Sequence, residues 1–240
     1  LIMMRSLMTM TDTPIDLEGP LQYKKDFDKE DILTDKTGKH QVMMEWERSY
    51  MDALVQRLNP FGDVLEIGFG LGYSATAIQK YNIKSHTIIE FDSEVLKKLR
   101  VWASRQKHQV IIINGAWQER LPQITKRFDI FFHDDYPSAK YPDPYDIRIF
   151  EFYNLIMRNN VKKGSRFTWF CTQPVVWPCP SWTKWDCEEY NIDVPEKVNY
   201  INEENKKNLF LPLVTFKDSS PTDMHPQILE QFINDHKSRY

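Results

Sequence analysis

Residues 64–81 read VLEIGFGLGYSATAIQKY. An apolar run, VLEIG (64–68), enters a turn with glycine at 68, 70 and 72, and a helix-forming stretch, YSATAIQKY, leaves it. A run without polar alternation is a strand buried on both faces, so this segment reads as the first strand, turn and helix of a parallel α/β unit. The same rhythm continues downstream. HTIIE (86–90) is a strand, SEVLKKLRVWASRQ (93–106) a helix capped by Ser93, and HQVIIIN (108–114) and FDIFFHDD (128–135) are further strands. A helix over 147–159 leads through the turn KKGS to the strand RFTWFCT (166–172). Strands alternating with helices pair in parallel through right-handed crossovers, so the expected fold class is α/β, doubly wound.

Upstream of the turn, Met43, Trp46, Tyr50, Met51 and Leu54 recur at three- and four-residue steps, predicting one amphipathic helix from Gln41 to Pro60. After about residue 175 the alternation breaks. There WDCEEY (185–190) reads as a short helix, while KVNYI (197–201) and LFLPLVTF (209–216) read as an antiparallel edge hairpin on the mostly parallel sheet. Residues 1–40 are polar and aperiodic and read as an N-terminal arm or lid; 41–217 form the main domain, and 218–240 a tail with a short helix.

At 240 residues, 41% hydrophobic and 27% charged, the chain has the composition of a packed water-soluble domain. A net charge of −3 provides no basic surface for a phosphate backbone, so nucleic acid is not an expected partner. The apolar start LIMMRSLMTM is interrupted by Arg5 and is too short for a signal core or a membrane span. No membrane partner and a cytoplasmic location are expected. Cys171, Cys179 and Cys187 are odd in number and form no CxxC pattern, which points to free thiols and no metal site. Monomer and homodimer both stay open.

In a doubly wound sheet a nucleotide-like cofactor lies against the first strand-to-helix turn. Glycines there allow positive φ and close backbone approach, and Glu90, about 20 residues on at the end of the second strand, is placed to accept from ribose hydroxyls. A structural glycine turn would carry the same residues. The dinucleotide fingerprint GxGxxG needs glycine at 73, where this chain has Tyr73, and no GK[ST] follows to make a phosphate loop. The pattern GxGxG preceded by Glu66 suits S-adenosylmethionine, which has no pyrophosphate to cradle.

Two carboxylates complete the picture. Asp134 ends the fourth strand at the edge facing the crevice, and Glu47 lies between Met43 and Met51 at four-residue steps, so that one helical stripe would carry all three. Two carboxylates beside one pocket suit a cation, and the planar fork of a guanidinium is the best geometric match.

The ordered segments VMMEWERSYM, VLEIGFGLG, HTIIE, LRVWASRQKHQVI, GAW and HDDYP, spanning about Gly38 to Thr172, resemble the guanidinoacetate N-methyltransferase family, which makes creatine; the likeness resumes at FLPLVTF. The resemblance implies a Rossmann-like class I methyltransferase fold and S-adenosylmethionine as cofactor. It implies cofactor contacts at Met43 and Met51, at Phe69, Gly70, Leu71, Gly72, Tyr73 and Ser74, at Glu90, and at Ala116, Trp117 and Gln118. It places a small guanidino substrate against Glu47, Asp134 and Tyr136, with Glu47 orienting and Asp134 taking the proton. Physical chemistry agrees, because a guanidinium with a pKa above about 12 offers no lone pair until it loses a proton. A related arginine methyltransferase group shares the helix and loop motifs, and a non-catalytic methyltransferase-like module is the reading from another class.

The departures fall at the substrate end. His133 and Asp135 replace the family's tyrosine and threonine, adding charge beside Asp134. Thr172, Gln173 and Pro174 replace a loop of donors, and proline has no N–H. The family's lid tryptophan has no clear counterpart, with Tyr23 or Phe27 as candidates.

Overall fold

A computed structural model describes residues 19–26, 28–137, 140–141, 145–173 and 181–217. The expected tail helix in 218–240, the first 18 residues of the arm, Phe27, Pro174 and Cys179 lie outside the described residues.

Three short strands, β1 (Gln22–Lys25), β2 (Asp31–Thr34) and β3 (Gln41–Met44), form a separate antiparallel sheet in the order β1-β2-β3. Two of them fall in the region read as an aperiodic arm, because four-residue strands such as QYKK and DILT are too short to display a period. Helix α1 (Glu47–Leu58) follows. The single helix expected from Gln41 is thus corrected: residues 41–44 pair with β2, Leu33 opposite Met43 and Ile32 opposite Met44. Met43 therefore does not share a helical stripe with Glu47 and Met51.

The main sheet runs β4 (Gly62–Ile67), β5 (Ile83–Glu90), β6 (Gln109–Asn114), β7 (Phe128–His133), β8 (Val161–Trp169), β9 (Thr183–Asn191) and β10 (Asn208–Phe216) along the chain. In space the order is β6-β5-β4-β7-β8-β10-β9, parallel from β6 to β8 and antiparallel at β10 and β9. The direction of winding reverses between β4 and β7, which opens a crevice at their carboxyl ends.

Helices α2 (Tyr73–Ile78), α3 (Ser93–Ala103), α4 (Trp117–Arg120) and α5 (Tyr145–Asn159) complete the layers. Each central strand feeds two cores. Ile130 and Phe132 of β7 pack with α1, α2 and α3, while Phe128 and Phe131 pack with α5. Burial on both faces is why these strands read as continuous apolar runs. Tyr50 pins α1 to the sheet: its hydroxyl donates to the Phe210 carbonyl at 2.6 Å and accepts from the Cys171 N–H at 3.0 Å.

Four local expectations change. The cap of α3 is Asp92, whose Oδ1 accepts from the N–H groups of Glu94 and Val95 at 2.9 Å each; Ser93 is the first helical residue. WDCEEY is not a helix but most of β9, paired with β10 from Asn208 opposite Asn191 to Phe216 opposite Thr183. An edge strand largely open to solvent needs no apolar alternation, so its sequence carries no strand signature. The edge hairpin therefore exists with β9 in place of KVNYI, which takes no regular structure. KKGS is a distortion inside β8 at Gly164 (φ +87). Among the described residues no helix is long and apolar enough to cross a membrane, and neither Cys171 nor Cys187 is in a disulfide.

Candidate active site

The glycine turn after β4 is where the crevice begins. Gly68 (φ +78) is required on two counts: its backbone is left-handed, and a Cβ there would collide with the Asp134 carbonyl oxygen. That close approach lets the Asp134 N–H reach the Ile67 carbonyl (3.1 Å) and the Gly68 N–H reach that of Ile89 (3.0 Å), joining the ends of β5, β4 and β7. At Gly70 (φ +51) a Cβ would press on the Met43 sulfur at 2.6 Å. Beneath the loop the buried Glu66 accepts from Ser74 Oγ at 2.5 Å and lies 2.8 Å from His86 Nε2, so the start of α2 is tied down from below.

These elements line a cleft that runs from the glycine turn past the ends of β5 and β6 to the loop after β7. Of the residues expected at the cofactor, Met43, Phe69, Gly70, Ser74, Glu90, Ala116, Trp117 and Gln118 line it. Leu71, Gly72 and Tyr73 shape the turn from outside the lining, and Met51 is wholly buried behind it in the core of α1. Leu21, Leu33 and Val42 line the cleft without having been expected, because their contribution depends on the small sheet folding over the crevice. That roof is fastened by the Leu21 N–H to Asp92 Oδ2 (2.8 Å) and by the Tyr23 hydroxyl to the Gly70 carbonyl (2.7 Å). Of the two aromatics considered for the lid, Tyr23 thus sits on the glycine loop.

Glu90 has a second occupation besides the one expected. Its carboxylate accepts from the N–H groups of Phe69 (3.0 Å), Phe91 (2.7 Å) and Asp92 (2.8 Å), and so holds the turns after β4 and β5 together. Burial pushes it up to about 7 against the pull of these three donors, with the Asp92 charge adding. A carboxylate has about four acceptor positions, so capacity remains for a hydroxyl in the cleft. Glycines without Cβ, a carboxylate at the second strand end and an aromatic at Trp117 fit an adenosine-bearing cofactor.

Asp134 and Tyr136 line the same cleft, whereas Glu47 stands beside it on the first turn of α1. Glu47 is buried, and Oε1 accepts from the Met44 N–H (2.8 Å) and the Tyr200 hydroxyl (2.5 Å). Burial pushes its carboxyl up to about 7 despite both donors. Asp134 is raised well above the ordinary value, first by burial and then by the charges of Glu47, Asp135 and Glu66, with Arg148 opposing. Asp134 therefore feels the charge of Glu47, and two carboxylates so placed favour a cation beside them.

The charge expected from His133 and Asp135 is cancelled within the fold. Burial holds His133 down to about 4, so it is a neutral ring at neutral pH, packed 4.7 Å from Phe152 and 5.5 Å from Trp117. Burial alone would push the Asp135 carboxyl up, but Arg148 overrides it and the group stays below its usual value. Arg148 donates from Nε and Nη2 to Oδ1 at 3.1 and 2.9 Å, and Trp117 Nε1 donates to Oδ2 at 2.8 Å. Asp135 thus holds Trp117 against the cleft. Tyr200, in the segment between β9 and β10, has no sequence signal pointing at Glu47, because the two meet only in three dimensions.

A family model described as guanidinoacetate N-methyltransferase matches residues 21–184. Among curated relatives, protein arginine N-methyltransferase 2 of Candida glabrata is 39% identical over 127 residues, 49% of this chain and 31% of that protein. The protein of the same name from Saccharomyces cerevisiae is 31% identical over 148 residues, 58% of this chain and 35% of that one. The chain matches about a third of the length of these relatives. Among solved structures, the O-methyltransferase from Bacillus cereus in complex with SAH has a TM-score of 0.51 at 12% identity, covering 73% of this chain and 82% of that one. Spermidine synthase from Thermotoga maritima has a TM-score of 0.51 at 14% identity, covering 91% and 87%. At such identities the likeness is one of fold.

Proposed function

The chain belongs to the guanidinoacetate N-methyltransferase family, and on that premise we propose that it transfers a methyl group from S-adenosylmethionine to a guanidino nitrogen of a small compound, guanidinoacetate being the default. The observation that carries this reading is two buried carboxylates side by side, Asp134 in the cleft lining and Glu47 on the first turn of α1, near enough for its charge to raise the Asp134 carboxyl. When bound, the cofactor supplies an electrophilic methyl group on a sulfonium. Met43, the glycine loop, Glu90 and Trp117 would hold it.

The protein's part is positioning and proton transfer. Burial raises both carboxyls; a guanidinium between them favours both anions and fixes the plane of its nitrogens. As one nitrogen forms its bond to the methyl carbon, it must release a proton, and Asp134 accepts it. Glu47 remains ionised and balances the charge of the methylated guanidinium. The roof of Leu21, Leu33 and Val42 keeps water from the reacting atoms.

A second reading, arginine within a protein, is supported by the names of the relatives and by a lining that, among the described residues, carries Glu90, Asp134 and Asp135 but no lysine or arginine to meet a substrate carboxylate. Labelled cofactor incubated with guanidinoacetate, other small guanidino compounds and an arginine peptide separates the readings by which product is labelled. Cofactor binding without transfer to any of them would sink both and leave a binding module.

A further inference from the structure

The segment between β9 and β10 is a strap that touches both the roof and the acidic pair. Its base is closed by the Ile192 N–H to the Lys207 carbonyl (3.0 Å) and the Val194 N–H to that of Lys206 (2.9 Å). Val194, Val198 and Ile201 anchor it in the core shared by the small sheet and α1. At its tip Lys197 Nζ lies 2.7 Å from Asp26, 2.6 Å from Asp28 and 2.8 Å from Glu30, in the turn between β1 and β2. Gln41 of β3 donates to the Lys197 carbonyl at 2.8 Å and accepts from the Asn199 N–H at 2.9 Å. Tyr200 is the next residue. Its ring stacks on Trp46 at 6.3 Å, its oxygen accepts from Trp46 Nε1 at 3.0 Å, and its proton goes to Glu47 Oε1.

Oε1 of Glu47 takes both the Met44 N–H and the Tyr200 O–H, while Oε2 accepts nothing among the described residues. We propose that Tyr200 is a positioning residue for methyl transfer: it locks one oxygen of Glu47 so that the other is presented to the substrate nitrogen, and the strap makes that grip depend on the roof being seated. The proposal rests on the guanidino reading of the pocket. A free glutamate would sample several rotamers, and a carboxylate fixed before binding loses less freedom when the cation arrives. The groups facing Glu47 are Tyr200 from the strap and Asp134 from the loop after β7, the latter backed by Asp135 with Arg148 and by Glu66. Tyr200 is the side-chain donor to Glu47, beside the Met44 backbone N–H.

Tyr200→Phe keeps the ring and its stacking and removes only the hydroxyl. A hydrogen bond to a charged acceptor contributes enough that KM for the guanidino substrate is expected to rise about tenfold, with kcat changing less and cofactor Kd staying within about twofold. The acid limb of kcat/KM moves to higher pH, because a donor favouring the Glu47 anion is lost. Unchanged KM and an unchanged acid limb would overturn the proposal. A readout free of activity is the titration of Glu47 by carbon NMR of carboxyl-labelled glutamate in the full chain, its signal assigned by its loss in Glu47→Gln. The midpoint is expected to rise in Tyr200→Phe, and a fixed midpoint overturns the positioning role. A raised midpoint in a protein that methylates no guanidino compound leaves Tyr200 as the positioner of Glu47 and removes the functional reading instead. Lys197→Met leaves the hydroxyl in place and loosens the strap, so substrate KM and the cofactor dissociation rate should both increase; constancy of both overturns the coupling to the roof.

Discussion

The two ends of the cleft are assembled from the chain in different ways. At the cofactor end, the glycine turn, Glu90 and the Ala116–Trp117–Gln118 segment follow the carboxyl ends of β4, β5 and β6, three successive parallel strands. Each piece is placed by its own strand and the shared register, Ile67 beside Ile89 and Glu90 beside Asn114. At the substrate end, Glu47 comes from a helix before the sheet, Asp134 from the reversal point, and Tyr200 from a strap between the last two strands. No local rule places these three together. The cofactor end is therefore a property of the fold class, while the substrate end is a set of long-range agreements that can change without disturbing it. Most departures from the family pattern fall on that second end or its cover, but His133 and Asp135 also reach the cofactor end, where they pack on and bond to Trp117.

The sharpest way to break this division is Asp134→Asn. An amide takes no proton, so turnover is expected to fall by about 10³-fold, in the range lost with a general base, while cofactor affinity stays within about twofold. Single-turnover rates and a cofactor titration measure the two quantities, and a large loss of cofactor binding would dissolve the distinction between the ends.

Next in size is a stability effect. The Glu47 carboxyl sits at about 7 in the folded chain against an ordinary 4.5, so the folded state binds its proton more tightly than the unfolded state. Stability present below about pH 4.5 is accordingly lost as pH rises through 7. Glu47→Gln removes that titration. Its Tm should exceed that of the wild type by several degrees at pH 8, with the gap closing toward pH 5; the ceiling is on the order of 3 kcal/mol. A gap that does not vary with pH would show that Glu47 is not held in a costly ionised form.

Glu90→Ala tests the other end. It removes the acceptor expected for the cofactor and frees the N–H groups of Phe69, Phe91 and Asp92, so cofactor affinity should weaken by about tenfold to fiftyfold with little change in kcat at saturation. Calorimetry gives the first number and saturation kinetics the second; a kcat loss exceeding the affinity loss would place Glu90 in the chemistry. Smallest is Gly70→Ala. A left-handed residue must then carry a Cβ against the flexible Met43 side chain, at a cost of about 1–2 kcal/mol, read as a lower Tm and roughly tenfold weaker cofactor binding.

The parts of the molecule that were legible in the sequence share one property: a local signal is strong where one segment does the work alone. VLEIGFGLG announces a strand buried on both faces and a turn requiring positive φ, and both follow from residues 64–72 themselves. Asp134 is legible because strand ends in a doubly wound sheet face the crevice. Where the structure departs from the sequence pattern, the cause is the converse. WDCEEY has no apolar alternation because β9 is an exposed edge strand that owes its conformation to β10. Met43 mimics a helical position because the period of one short strand running into a helix resembles a single longer helix.

By itself, then, the sequence determined the α/β winding and the glycine turn, and it pointed to Glu90 and Asp134 through residue type and strand ends; Glu47 was singled out by a stripe that the fold divides between β3 and α1. Only the tertiary structure decided that the small sheet roofs the cleft, that Arg148 cancels the charge of Asp135, and that Tyr200 holds Glu47. Those three facts are contacts between segments far apart in the chain, and the energy of such a contact exists only once the whole fold has brought its partners within hydrogen-bond distance.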